Sequence, residues 1–186
     1  LAAGCAKPPQ EAIDQARTAL DDARTAGAGD WAATEWGAAQ EAMAAVDAEL
    51  EKQSAKMAIG RSYKETERLL AEASSKVAEA SAAAAANKEA ARQAANAALE
   101  AAQQALTAAQ TLATELEACP RKPKGFAADM ELIKGSLQTL AQGIEPLGRS
   151  MDSEDYETVS TEAEALRAQV ETLTSDMQAA KTKIGC

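Results

Sequence analysis

Few side chains in this sequence are equipped for chemistry. There are three cysteines, Cys5, Cys119 and Cys186, and no histidine, which removes imidazole acid–base catalysis and imidazole metal ligation. No G-x-S-x-G elbow, phosphate-cradling glycine loop or C-x-x-C pair occurs. Carboxylates gather at Asp21-Asp22, at Glu115 with Glu117, and at Asp152-Ser153-Glu154-Asp155. None has the spacing of a calcium loop, and the last group reads as negative charge at the first turn of a helix. The expectation is a protein that is not an enzyme and takes no cofactor and no metal. One basic run, Arg121-Lys122-Pro123-Lys124, stands out in a chain of net charge −10. It suits either a helix C-terminus or an anionic partner such as a cell-wall polymer. The acidic balance itself argues against nucleic acid as a partner. Trp31 is an expected hairpin cap or partner contact, while Trp36 falls on an apolar seam.

The elements that must position these groups are helical. Of 186 residues, 49 are alanine, and Ala, Glu, Lys, Leu and Arg together make 103, the composition of long helices and coiled coils. Only 37 larger apolar residues remain, five of them aromatic. That is too little bulk for a thick core or an ordinary apolar ligand pocket. Apolar residues recur at intervals of three and four, the helix period, within segments parted by sparse glycines and prolines. Five helices are expected, at about 9–26, 31–59, 62–118, 126–147 and 152–184. The second carries Trp36, Ala39, Met43, Val46, Leu50, Gln53 and Met57 on its seam. Gly60 is placed as a left-handed terminator, with Ser62 and Glu65 as a capping box for the third helix. That third helix has no Gly or Pro from Ser62 to Ala118, roughly 85 Å at 1.5 Å per residue.

Its seam reads Tyr63, Thr66, Leu70, Ala73, Val77, Ala80, Ala84, Asn87, Ala91, Ala94, Ala98, Ala101, Ala105, Ala108 and Leu112, with a second row at Leu99, Leu106 and Ala113. Between Ser81 and Thr111 only Lys88, Glu89, Arg92 and Glu100 carry charge, so this surface is expected to be covered on more than one side. Helices two and five together match helix three in length. The fold class is therefore all-α: an elongated antiparallel helical bundle, with two three-helix bundles in tandem over 10–100 and 85–186. They share one central helix, with coiled-coil-like packing in a spectrin-like arrangement. Residues 1–9 form a linker.

The opening run Leu1-Ala2-Ala3-Gly4-Cys5 resembles the lipobox of bacterial lipoproteins, in which small residues precede a cysteine that is acylated after signal-peptide cleavage. Ala2 stands where leucine is usual. The resemblance implies lipid on Cys5, stable membrane anchoring through several acyl chains, and, with Ala6 in the sorting position, the periplasmic side of the outer membrane of a Gram-negative bacterium. Cys5, Pro8-Pro9, the Gly27-Ala28-Gly29-Asp30-Trp31 turn and Arg61-Ser62-Tyr63-Lys64 together resemble a family of small Ala-rich helical lipoproteins that is classed as a domain of unknown function. The resemblance covers about residues 5–100. Some members of that family carry a peptidoglycan-binding module, for which residues 120–186 substitute a helical hairpin.

In the tandem layout Cys119 ends the third helix and Cys186 follows the fifth, so both fall at one tip. The envelope is an oxidising compartment, and a Cys119–Cys186 disulfide is expected there. Two functional readings follow. The first is a structural lipoprotein that scaffolds or tethers, held at the membrane by Cys5, with a protein partner of the envelope or an anionic polymer at the basic tip. The alternative is a pilotin-like accessory factor that binds an outer-membrane or periplasmic protein along the alanine face at about 80–110.

Overall fold

A computed structural model describes residues 7–186 and is all-helical, with no strand among them. The elements are α1 (Gln10–Thr25), α2 (Ala28–Trp31), α3 (Ala33–Ser54), a single 3-10 turn (Ala58–Gly60), α4 (Lys64–Glu117), α5 (Phe126–Ile144), α6 (Leu147–Asp152) and α7 (Tyr156–Ile184). The chain divides into two compact units, the first ending at Glu89 and the second beginning at Ala90. α4 contributes residues to both.

The first unit is built on α1, α3 and the front of α4. Ile13 and Ala16 pack with Met43, Val46, Leu70 and Ala73 in one cluster. Ala23, Ala28, Ala32 and Ala39 pack with Val77, Ala80 and Ala84 in the next. The order of these contacts makes α3 antiparallel to both α1 and α4. Alanine at the contacts lets helices approach toward the short end of the ~8–10 Å packing range. On the surface, Arg17 of α1 pairs with Asp47 of α3 at 2.7 Å.

The second unit sets α5 and α7 against the rear of α4. Leu116, Met130, Leu137, Leu140, Ile144, Leu147, Val159, Val170 and Met177 are buried. Two ion pairs tie the elements, Lys134–Glu117 at 2.7 Å and Lys181–Glu115 at 2.6 Å. Gly143 lies so close to α7 that a Cβ there would meet Leu166 at 2.9 Å.

Several expected boundaries move, each for a local reason. The second helix does not start at Trp31: Gly27 turns left-handed at φ +86°, α2 makes one short helix, and Ala32 (φ −147°, ψ 52°) breaks the phase before α3. α3 ends at Ser54 rather than near Ile59. Met57, expected on the seam, is 81% exposed, in extended backbone ahead of the 3-10 turn. Gly60 is not left-handed. The Ser62–Glu65 capping box is also absent. The Ser62 N–H donates to Gln53 Oε1 at 3.1 Å, and the Glu65 carboxylate is taken by Arg68 at 2.7 Å. Pro146 separates α6 from α5. The last helix starts at Tyr156, where Asp155 Oδ1 accepts from the Thr158 N–H as an N-cap.

The seam of α4 follows expectation from Tyr63 to Ala84 and then departs from it. Its next buried residue is Ala95, followed by Leu99, Ala102, Leu106, Ala109, Ala113 and Leu116. The expected second row is thus part of the true distal seam, and Ala94, Ala98, Ala101, Ala105 and Ala108 lie one residue out of phase. Within 85–94 no residue is buried, and Ala85, Ala86, Ala90 and Ala94 are exposed, so this stretch is not covered on more than one side. A strict 3.5-residue repeat needs a partner helix to impose it. An 11-residue step is close to the 3.6 repeat of a straight helix, and it carries the seam from Ala84 to Ala95.

Candidate functional site

The basic run sits in the loop between α4 and α5. Cys119 and Cys186 stand at disulfide distance, with Cα atoms 6.0 Å apart, so the end of α7 is held beside this loop. Gly185 ends α7 in the left-handed conformation (φ +76°) with its N–H bonded back to the Lys181 and Thr182 carbonyls. A Cβ at Gly185 would lie 2.8 Å from Arg121 Nη1. Arg121 therefore lies against the carbonyl-rich end of α7, where positive charge is favoured. On the other side of the loop, Gly125 (φ +93°) turns the chain into α5. Lys122 Nζ lies 5.9 Å from the centre of the Phe126 ring, within cation–π range.

Between these walls is a cleft of about 800 Å³. Its floor is apolar, from Leu116, Phe126, Met130, Ile133, Ala180 and Ile184, and its rim carries Arg121, Lys122, Lys124 and Lys183 against one acid, Asp129. The two cations just outside, Lys134 and Lys181, are already paired with Glu117 and Glu115. The Lys134 ammonium holds the Glu117 carboxyl below its ordinary value, and Glu117 in turn raises Lys134. Among the described residues no side-chain carboxylate forms an ion pair with the four rim cations. An anion at the mouth of the cleft meets four exposed positive charges against the one carboxylate of Asp129, with an apolar surface behind them. The residues that line the cleft include no serine, threonine, cysteine or tyrosine. Among the described residues no group of three or more Cys, Asp and Glu side chains is placed to hold a metal ion.

The expected site residues are thus distributed between two places. Arg121, Lys122 and Lys124 line one cleft beside Cys119 and Cys186. Trp31 belongs to the first unit, half-buried on the alanine cluster, with its carbonyl accepting from Asn87 Nδ2 at 2.7 Å. Its ring approaches the Gly27 Cα closely enough that a Cβ there would lie 3.1 Å from Trp31 Cδ1. Cys5 lies outside the described residues. Lys183 went unread in the sequence, and Phe126, Met130, Ile133, Ala180 and Ile184 were legible as helix seam but not as the floor of a cleft. The pairing of Cys119 with Cys186 contained the signal for Lys183, since a residue three before Cys186 must end near one two or three after Cys119. The chain matches no protein-family model, and no curated protein or solved structure matches it either.

Proposed function

We propose that the chain is a non-enzymatic, lipid-anchored protein of the bacterial envelope that tethers an anionic protein segment through the cleft between the 121–124 loop, α5 and the end of α7. The observation that carries this reading is the combination of four cationic rim residues with an apolar floor. Such a surface accepts a segment that is apolar on one side and acidic at its edges, since burial of the apolar side drives association and the rim charges set orientation and on-rate. A purely polar anionic polymer would leave the floor of Phe126, Met130 and Ile133 unfilled. The lipobox-like run ending at Cys5 supports the envelope address, and a Cys119–Cys186 bond would persist in that oxidising compartment. The alternative, a pilotin-like accessory factor, would instead bind its partner along the alanine face at about 80–110, where Ala85, Ala86, Ala90 and Ala94 are exposed.

The test is photo-crosslinking in intact cells from a reactive residue at Lys124, in the parent chain and in an R121E/K122E/K183E variant. A discrete protein adduct present in the first and lost in the second is expected. Adducts that are absent, or unchanged by charge reversal, contradict the reading. Adducts to peptidoglycan alone would reassign the cleft to cell-wall polymer.

A further inference from the structure

The turn between α3 and α4 offers a surface that the cleft does not explain. Among the described residues three large apolar side chains are strongly exposed, and two of them, Met57 at 81% and Ile59 at 86%, sit two positions apart on this one turn. Exposed apolar side chains are ordinary when scattered; a pair at a hairpin tip is not scattered. From Lys52 to Lys64 the chain carries four cations, Lys52, Lys56, Arg61 and Lys64, and no acid, in a protein of net charge −10.

The turn is also held in shape. Arg61 donates from Nε to the Lys56 carbonyl at 3.0 Å and from Nη2 to the Ser54 carbonyl at 3.1 Å. Gly60 N–H bonds to the Met57 carbonyl at 2.9 Å, and the Arg61 N–H to that of Ala58 at 3.4 Å. These bonds reduce the desolvation cost of the backbone groups they satisfy when the turn leaves bulk water.

Its position in the first unit matters as much. Ile13 and Ala16 pack level with Met43, Val46 and Leu70, and Ala12 faces Glu67 across the α1–α4 groove. The start of α1 at Gln10 is therefore at the same end of this unit as the turn. Residues 7–9 lead into α1 at that end.

We infer that Met57 and Ile59 insert into the interfacial region of a bilayer bearing anionic headgroups, with Lys56, Arg61 and Lys64 on its surface, so that the first unit docks on the membrane by this turn. Charge complementarity favours a lipid surface: Lys56, Arg61 and Lys64 flank two strongly exposed apolar side chains on one hairpin turn. Interfacial attachment of this type combines apolar insertion with attraction to anionic lipid. The inference does not require acylation, so it is tested in its absence.

The experiment uses the full chain with Cys5→Ser, floated with vesicles of three parts phosphatidylcholine to one part phosphatidylglycerol, and with vesicles of phosphatidylcholine alone. Flotation with the anionic vesicles, falling about tenfold in the neutral ones, is the expected result. An M57D/I59D variant, whose substitutions are at exposed positions and whose helicity is checked by circular dichroism, should lose a further tenfold or more. A K56E/K64E variant should lose binding only to the anionic vesicles. The inference is overturned if the parent chain does not float on anionic vesicles, or if M57D/I59D floats as well as the parent. Crosslinking from position 59 in cells that captures one protein and no lipid also overturns it. Because Cys5 is absent, none of these results depends on whether the envelope reading is right.

Discussion

At the scale of single residues, Gln53 holds the α3–α4 connection. Its buried amide donates to Glu49 and accepts from the Ser62 N–H and from Lys56 Nζ, each at 3.1 Å. Gln53→Ala removes three bonds at once and leaves Glu49 and the Ser62 N–H without these partners. A loss of about 1–3 kcal/mol is expected, read as a lower urea midpoint. Thr66 presents the opposite case. It is fully buried and its hydroxyl has no hydrogen-bond partner, so the isosteric Thr66→Val should raise stability by about 1 kcal/mol.

The acid response also belongs to this scale. Hydrogen bonds from Gln53 and then Lys52 hold the Glu49 carboxyl below its ordinary value of 4.5, and Lys134 does the same for Glu117. A carboxyl whose folded value is depressed contributes stability that is complete above its unfolded value. That contribution is lost as pH falls from about 4.5 through the lower folded values. Urea midpoints measured between pH 6 and pH 3 should therefore drop below pH 4.5, less steeply in Glu117→Gln. Periodicity alone placed Gln53 on the seam, yet its bond to the Ser62 N–H depends on where α3 stops. The stop was unreadable because Lys56 to Ile59 continues the apolar spacing that the backbone abandons.

At the scale of elements, α4 shows which part of a helix a sequence specifies. Where Leu70, Val77 and their neighbours differ in size from the residues around them, the buried face was legible. Between Ser81 and Ala98 nearly every apolar position is alanine, so no side chain marks the face and phase is set by the helix's own 3.6 repeat. The distal seam can be tested by added bulk. Ala109→Leu, at a fully buried position, should cost about 1–3 kcal/mol by overpacking. Ala108→Leu, one residue away and exposed, should change stability by no more than about 0.5 kcal/mol. Equal effects from the two would return the seam to the uninterrupted heptad. The short α2 and α6 escaped detection for a related reason. Ala28–Trp31 and Leu147–Asp152 are too brief to display a period, and each is bounded by a glycine or proline that reads equally well as a loop.

For the molecule as a whole, the cysteine pair was legible because it is a consequence of topology: one helix out, one back and one out again, so that the ends of α4 and α7 coincide. The 67-residue separation of Cys119 and Cys186 corresponds to about 4 kcal/mol in the chain-entropy account of a crosslink. Reduction by a dithiol should lower the stability of the second unit by an amount of that order. It should also weaken the cleft, since Lys183 and Ile184 lie on the segment that the bond restrains. The cleft was half legible. The loop cations announce themselves against a net charge of −10, whereas the apolar floor is assembled from α4, α5 and α7 and exists only once they pack.

The most direct test of the central claim is a titration of the isotope-labelled chain, followed by nuclear magnetic resonance, with a helical peptide bearing leucines on one face and glutamates on the edges. The account predicts shifts concentrated at Arg121, Lys122, Phe126, Met130 and Lys183, weakening steeply between low and physiological salt and abolished in R121E/K122E/K183E. Shifts elsewhere on the surface, or shifts at the cleft that survive charge reversal, would contradict it.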